Sequence, residues 1–212
     1  MSLEQLRAEA ARDDYPAMAR LARALYETGL GPREVLRECY GVEFPTEFFV
    51  LHDPDPVLLF HFTNQPANLA VPLDRGGPPP AANPMSKNER AVFARDPDLL
   101  PVVLCLNNYA GFGGKFLCYR LSELAAGRAT VFAIEYHPTR ESEITRVADS
   151  LLAALYEHHT AHLAWVEEEE RATAGHSGGG TVDEEDLAAA QEYLVHIEDL
   201  RRRLEIAGPD SA

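Results

Sequence analysis

The sequence is poor in the features that usually announce a chemistry. It holds three cysteines, Cys39, Cys105 and Cys118. Each sits in an apolar stretch, so the odd set excludes a disulfide framework or a thiolate metal cage and predicts small core residues in a reducing cytoplasm. Cations are scarce as well: 19 Lys and Arg against 34 Asp and Glu leave a formal net charge of −15 at pH 7. Such a surface repels phosphate backbones and anionic head groups, which argues against nucleic-acid and membrane-surface binding and in favour of a basic protein partner. No apolar run approaches the roughly 18 residues of a membrane span, and no basic-then-apolar leader opens the chain.

Catalytic signatures are missing too. There is no Gly-x-Ser-x-Gly elbow, and thiols in apolar surroundings are poor nucleophiles. Gly111-Phe112-Gly113-Gly114-Lys115 resembles a phosphate loop only superficially. Tyr109 stands where the first Walker glycine belongs, and Phe116 replaces both the magnesium-holding hydroxyl and the third glycine of a dinucleotide fingerprint. A glycine-rich connection into a strand is the simpler reading. The acidic pairs Asp13-Asp14 and Glu141 with Glu143 read as solvated faces. Neither an enzyme nor a cofactor is expected.

What is present suffices to fold. Hydrophobic residues make up 46% and charged residues 25% of 212, ordinary for one globular core. Ser2 and Gln5 have capping-box spacing ahead of Leu3, Leu6 and Ala10, a first helix. A second follows Asp13 and Asp14, buries Met18, Leu21, Ala22 and Leu25, and stops at Gly29; a third runs from Pro32 to Gly41. Phe44 to Leu51 reads as a short helix opened by Pro45, and Val57 to Phe62 as a strand or buried turn of helix. Six prolines between Gln65 and Pro84 predict a long mobile loop. Pro101–Leu106, Lys115–Leu121 and Thr130–Tyr136 read as antiparallel strands. The middle one, with Phe116 and Cys118 on one face and Leu117 and Tyr119 on the other, belongs at the centre of its sheet.

From Ser142 to Val166 the residues Ile144, Val147, Ala148, Leu151, Leu152, Leu155 and Leu163 trace one helical stripe. The acidic run Glu167, Glu168, Glu169 and Glu170 then leaves the core. Gly175 to Gly180 reads as a linker, and Thr181 with Glu184 opens a last helix with Leu187, Leu194, Ile197 and Leu204 on one face. That helix either folds back or pairs with a second copy. His158 and His162 lie at i,i+4, a spacing that can hold zinc. His158 is followed by His159 and not by the glutamate of metalloproteases, so a structural role, continuing the apolar stripe, is the simpler expectation. The domain organisation expected is an α+β domain over 1–170, with a helical extension over 1–34 and a Pro/Gly-rich loop over 65–84. A flexible linker over 171–180 and a C-terminal helix over 181–212 complete it.

One set of segments resembles a known family. Asp98-Leu99-Leu100-Pro101-Val102, Asn107 to Gly114, Phe116-Leu117-Cys118-Tyr119-Arg120-Leu121-Ser122, Thr130-Val131-Phe132 and Glu135-Tyr136-His137 are similar to the core of the SUKH superfamily, the Smi/Knr-like domains. Phe44-Pro45-Thr46-Glu47-Phe48-Phe49 resembles its leading helix, and Val147-Ala148-Asp149-Ser150-Leu151-Leu152 its following helix. The resemblance covers residues 35–165. It implies an antiparallel sheet packed by helices, here with extra N-terminal helices and a C-terminal helix, and a non-catalytic protein-binding role. Bacterial members are immunity proteins that neutralise toxins, and fungal members are tied to cell-wall regulation.

The leading expectation is therefore an immunity-like binder of a basic partner, through Glu135, Asp149, the Pro-rich loop and Glu167 to Glu170. A self-associating regulatory protein, dimerising through the last helix, is the second. A metal enzyme built on Glu157, His158 and His162 is the third.

Overall fold

Five antiparallel strands lie side by side in chain order, and the computed structural model in which they are seen describes residues 1–52, 60–107, 111–173 and 184–207. The strands are β1 (Phe60–Phe62), β2 (Leu99–Cys105), β3 (Lys115–Arg120), β4 (Val131–Glu135) and β5 (Thr145–Ala148). As the alternation predicts, β3 is central. Leu117 and Tyr119 enter the main core, while Phe116 and Cys118 join a smaller cluster on the opposite face with Leu99, Leu104 and Ile134. The β2–β3 register shifts between Pro101 and Val103, so the proline, which has no N–H to give the ladder, sits beside a bulge.

Four helices precede the sheet: α1 (Leu3–Glu9), α2 (Tyr15–Glu27), α3 (Pro32–Tyr40) and α4 (Thr46–Leu51). Their ends follow from local chemistry. Ser2 and Gln5 close a capping box on α1, and Asp14 accepts the Ala17 N–H at 3.2 Å to cap α2. Gly41 ends α3 in the left-handed region, at φ 74°. In α4 the sequence turns Glu47 and Phe48 inward. Phe48 is fully buried among Phe44, Phe49 and Phe62, with ring centroids 5.2–6.3 Å away.

The Pro/Gly-rich stretch differs from the mobile loop expected. It forms two short 3-10 turns, Asn68–Ala70 and Leu73–Arg75, and Leu69 and Ala70 are buried against α2 and α3. Prolines rule out a helix or a ladder but leave carbonyls to be satisfied by side chains. The Tyr26 hydroxyl donates to the Leu69 carbonyl at 3.1 Å, Tyr15 to that of Pro79 at 2.9 Å, and Arg23 to that of Pro78 at 3.1 Å.

Two helices follow from no reading of the sequence given above: α5 (Ser86–Arg95), which packs Val92 on the second face of the sheet, and α6 (Leu121–Ala125). The helix expected from Ser142 is also shorter at its start. Residues 145–148 form β5 on the edge of β4, and α7 runs Leu151–Thr173. Residues three apart share a helix face but lie on opposite faces of a strand, and here Ile144 packs in the second cluster while Val147 packs against the main core. Because α7 continues through Arg171 to Thr173, the boundary expected at 170 falls inside it. The expected linker at 175–180 and Thr181 lie outside the described residues, as do 57–59 of the first expected strand. The last helix, α8, spans Glu184–Ala207. Among the described residues, no helix is long and apolar enough to cross a membrane.

The element that joins helices to sheet is Glu47. Its carboxylate, 7% exposed, accepts the Leu151 N–H at 2.8 Å and the Leu152 N–H at 3.2 Å at the start of α7, and the Tyr119 hydroxyl at 2.9 Å from β3. A carboxylate suits the positive end of a helix. Burial nonetheless raises its pKa, outweighing these bonds. Replacing Glu47 by Ala strands two N–H groups and a phenol, and should cost at least about 2 kcal/mol in urea unfolding. Tyr119→Phe, which removes one donor only, should cost about 1 kcal/mol.

Candidate functional site

Helices α7 and α8 form an antiparallel hairpin. Near the start of α7, Arg201 of α8 lies 5.3 Å over the Tyr156 ring, and near its end Val166 meets Ala190. Ile197 and Leu200 of α8 reach the main core, and α8 also packs on α4. The apolar stripe read on the last helix is thus spent within its own chain, with Leu187 and Leu194 half-buried. Asp199 pairs with both Arg202 and Arg203 at 3.6 Å.

The histidines fill the seam of this hairpin. His158 stacks on Phe112 with centroids 6.1 Å apart, and His159 and His162 face Tyr193 of α8 at 5.4 and 5.9 Å. His162 also lies against Trp165. All three are buried. Neither ring nitrogen of His159 has a hydrogen-bond partner among the described residues. Burial pulls the pKa of His158 down to about 4 and that of His159 to about 3, with neighbouring imidazoles adding to the effect. Among the described residues no group of three or more His, Cys, Asp or Glu side chains is gathered for a metal, and the contacts of His158 and His162 seen here are with aromatic rings. The cysteines are core residues, with Cys39 half-buried, and burial pushes the thiols of Cys39 and Cys105 up to about 12.

The acidic residues singled out from sequence fall in three separate places. Glu135 ends β4, exposed, and accepts the Ser142 hydroxyl at 2.8 Å. Asp149 pairs with Arg146 beyond the other end of the β4–β5 ladder, about 17 Å away at the rise of a strand. Glu167 to Glu170 occupy the last turns of α7, about 27 Å along the helix from Asp149. The hairpin adds what sequence order hid: Glu185 and Asp186, in the first turn of α8, come to the same tip. Arg171, 3.9 Å from Glu167, is the one lysine or arginine on these turns among the described residues. The Glu run sits at the helix end whose dipole repels anions, and its members also repel one another.

Two buried carboxyls escaped sequence reasoning, Glu47 and Glu89. Both stand at polar positions of helices whose partners lie far along the chain. The local signal for Glu89 is slight: a glutamate among the polar residues of a first helical turn.

The histidine seam sets a pH dependence. Unfolded imidazoles take up protons near pH 6.5, while the folded ones resist until about 4 and 3. The unfolded state therefore binds more protons across this window. Stability should fall as pH drops from about 6.5, by up to about 1.4 kcal/mol per pH unit for each histidine. Urea unfolding of His159→Phe at pH 7 and pH 5 should show a smaller loss than the parent chain.

No family model, curated protein or solved structure matches the chain.

Proposed function

We propose that this chain is a non-enzymatic protein-binding module of the SUKH kind, which holds a basic protein, of the class of a toxin it neutralises, against the acidic tip of its helical hairpin. The observation that carries the reading is the Glu167–Glu170 run at the unfavourable end of α7, joined by Glu185 and Asp186 of α8. Six carboxylates gathered at one tip present a surface that a basic partner complements. The formal net charge of −15 favours the same encounter, since opposite charge speeds association and penalises wrong partners. Further support comes from Glu47, which ties together the two helical segments that carry the resemblance, Phe44–Phe49 and Val147–Leu152.

Affinity capture with the tagged chain from its native lysate, washed in rising salt, tests this. A basic protein should be retained and then released as salt screens the contact. Replacing Glu167, Glu168, Glu169 and Glu170 together by Gln removes four surface pairs with the partner worth about 0.5 kcal/mol each, roughly a thirtyfold loss of affinity, with the circular dichroism unchanged. Capture of no basic partner, or undiminished capture by the fourfold variant, rejects the proposal. Capture of only its own copies supports self-association instead.

A further inference from the structure

A cleft of about 320 Å3 opens between the N-terminal end of α2 and α5. It continues into a second cavity of about 430 Å3 that shares Arg12, Asp13, Arg90 and Phe93 with it and extends to Ala94 and Pro97. Glu89 lines the inner end, only 2% exposed. Its Oε1 accepts both the Asn64 backbone N–H at 2.7 Å and the Asn64 side-chain amide at 2.9 Å. Its Oε2 takes no part in these bonds and is the oxygen left to the cleft. Burial pushes this group up to about 7 despite the two bonds, so near neutral pH it is poised to be ionised by a cation that reaches it.

Several other polar groups of the wall are already engaged, while Ser86 adds a hydroxyl. Tyr15 donates to the Pro79 carbonyl, and Gln65 bonds Tyr40 and the Arg12 carbonyl. Asp14 caps α2, and the Arg12 guanidinium donates to the Pro97 carbonyl. Of the five charged groups on the wall, Arg12 and Asp14 are held in place by these bonds, which leaves Glu89 within and Asp13 and Arg90 at the rim to face a ligand. Both rim residues are exposed and neither forms an ion pair among the described residues. Two carboxylates and one guanidinium around an apolar wall fit a small molecule that carries both signs.

We infer that this cleft binds a free amino acid with an apolar side chain. Its ammonium donates to Glu89 Oε2 and Asp13, its carboxylate takes Arg90, and its side chain lies on Phe93, Ala94 and Pro97. Charge-assisted bonds at both ends give orientation, and the ammonium offsets the desolvation of Glu89. The site is built from other residues than the acidic tip, so the two readings stand or fall separately.

Isothermal titration of the full chain with L-leucine and L-phenylalanine is the test, against isoamylamine and isocaproate as probes that carry one charge each. Saturable one-to-one binding of an amino acid is expected, at least tenfold weaker for either single-charge probe. Glu89→Gln, which keeps an acceptor for Asn64, and Arg90→Ala should each weaken leucine binding about tenfold or more. Should Glu89→Gln fail to fold, Asp13→Asn and Arg90→Ala, both surface changes, decide the matter by the same criterion. Absence of saturable heat with either amino acid at millimolar concentration overturns the inference. So does isoamylamine binding as tightly as leucine, or variants that bind as the parent does.

Discussion

Most of this fold hangs on one buried carboxylate. Glu47 reaches from a six-residue helix to the first two N–H groups of the 23-residue α7 and to the phenol of Tyr119 on the central strand. A helix start leaves its first N–H groups without partners in the helix itself, and inside a core no water replaces them. Glu47 answers that need from a different element. The same contact fixes where α7 enters the sheet, and α7 in turn positions α8, whose Ile197 and Leu200 reach the main core. The helical hairpin thus inherits its position from a single polar junction.

Around that junction the polar groups divide into two kinds. Some complete the structure: the tyrosine hydroxyls that satisfy the carbonyls of the proline-rich stretch, or Asp98, which accepts the Ser122 N–H at the start of α6. Others face the surface or a cleft, namely the four glutamates at the end of α7 and Glu89. The histidines stand apart from both: they are packed by aromatic rings, yet His159 is buried with neither ring nitrogen hydrogen-bonded among the described residues.

Much of the architecture was legible because it is written in short-range signals. Ser2, Asp14, Pro32 and Gly41 mark helix ends through their own backbone chemistry, and the alternation along Lys115–Arg120 gives away a strand buried on both sides. Where two periods fit the same residues, the reading went astray: Ile144 and Val147 suit a helix as well as a strand, and only the free edge of β4 selects the strand. Helix α5 was hidden because its inward residues are Glu89, Val92 and Phe93, a face whose first member is polar. The acidic tip was half legible. The Glu167–Glu170 run stands out in the chain, but that Glu185 and Asp186 join it depends on the pairing of α7 with α8. Glu47 gave no local sign of its importance, since its partners lie 72 and 104 residues away.

The order of the strands bears on how the chain finds this structure. Every strand of the sheet pairs with its neighbour in sequence, so from β2 onward each ladder closes over a modest loop. In such a meander the pairings from β2 onward are local in sequence, which keeps the entropy of closing each loop small. The junction at Glu47 spans 104 residues, and the entropy of closing so long a loop falls due only when α4 meets the start of α7. The sheet is thus held by contacts close in sequence, and its junction with the helical layer by contacts far apart. Wherever that layer is not docked, the Leu117 and Tyr119 face of β3 stands open, an apolar surface of the kind that promotes aggregation.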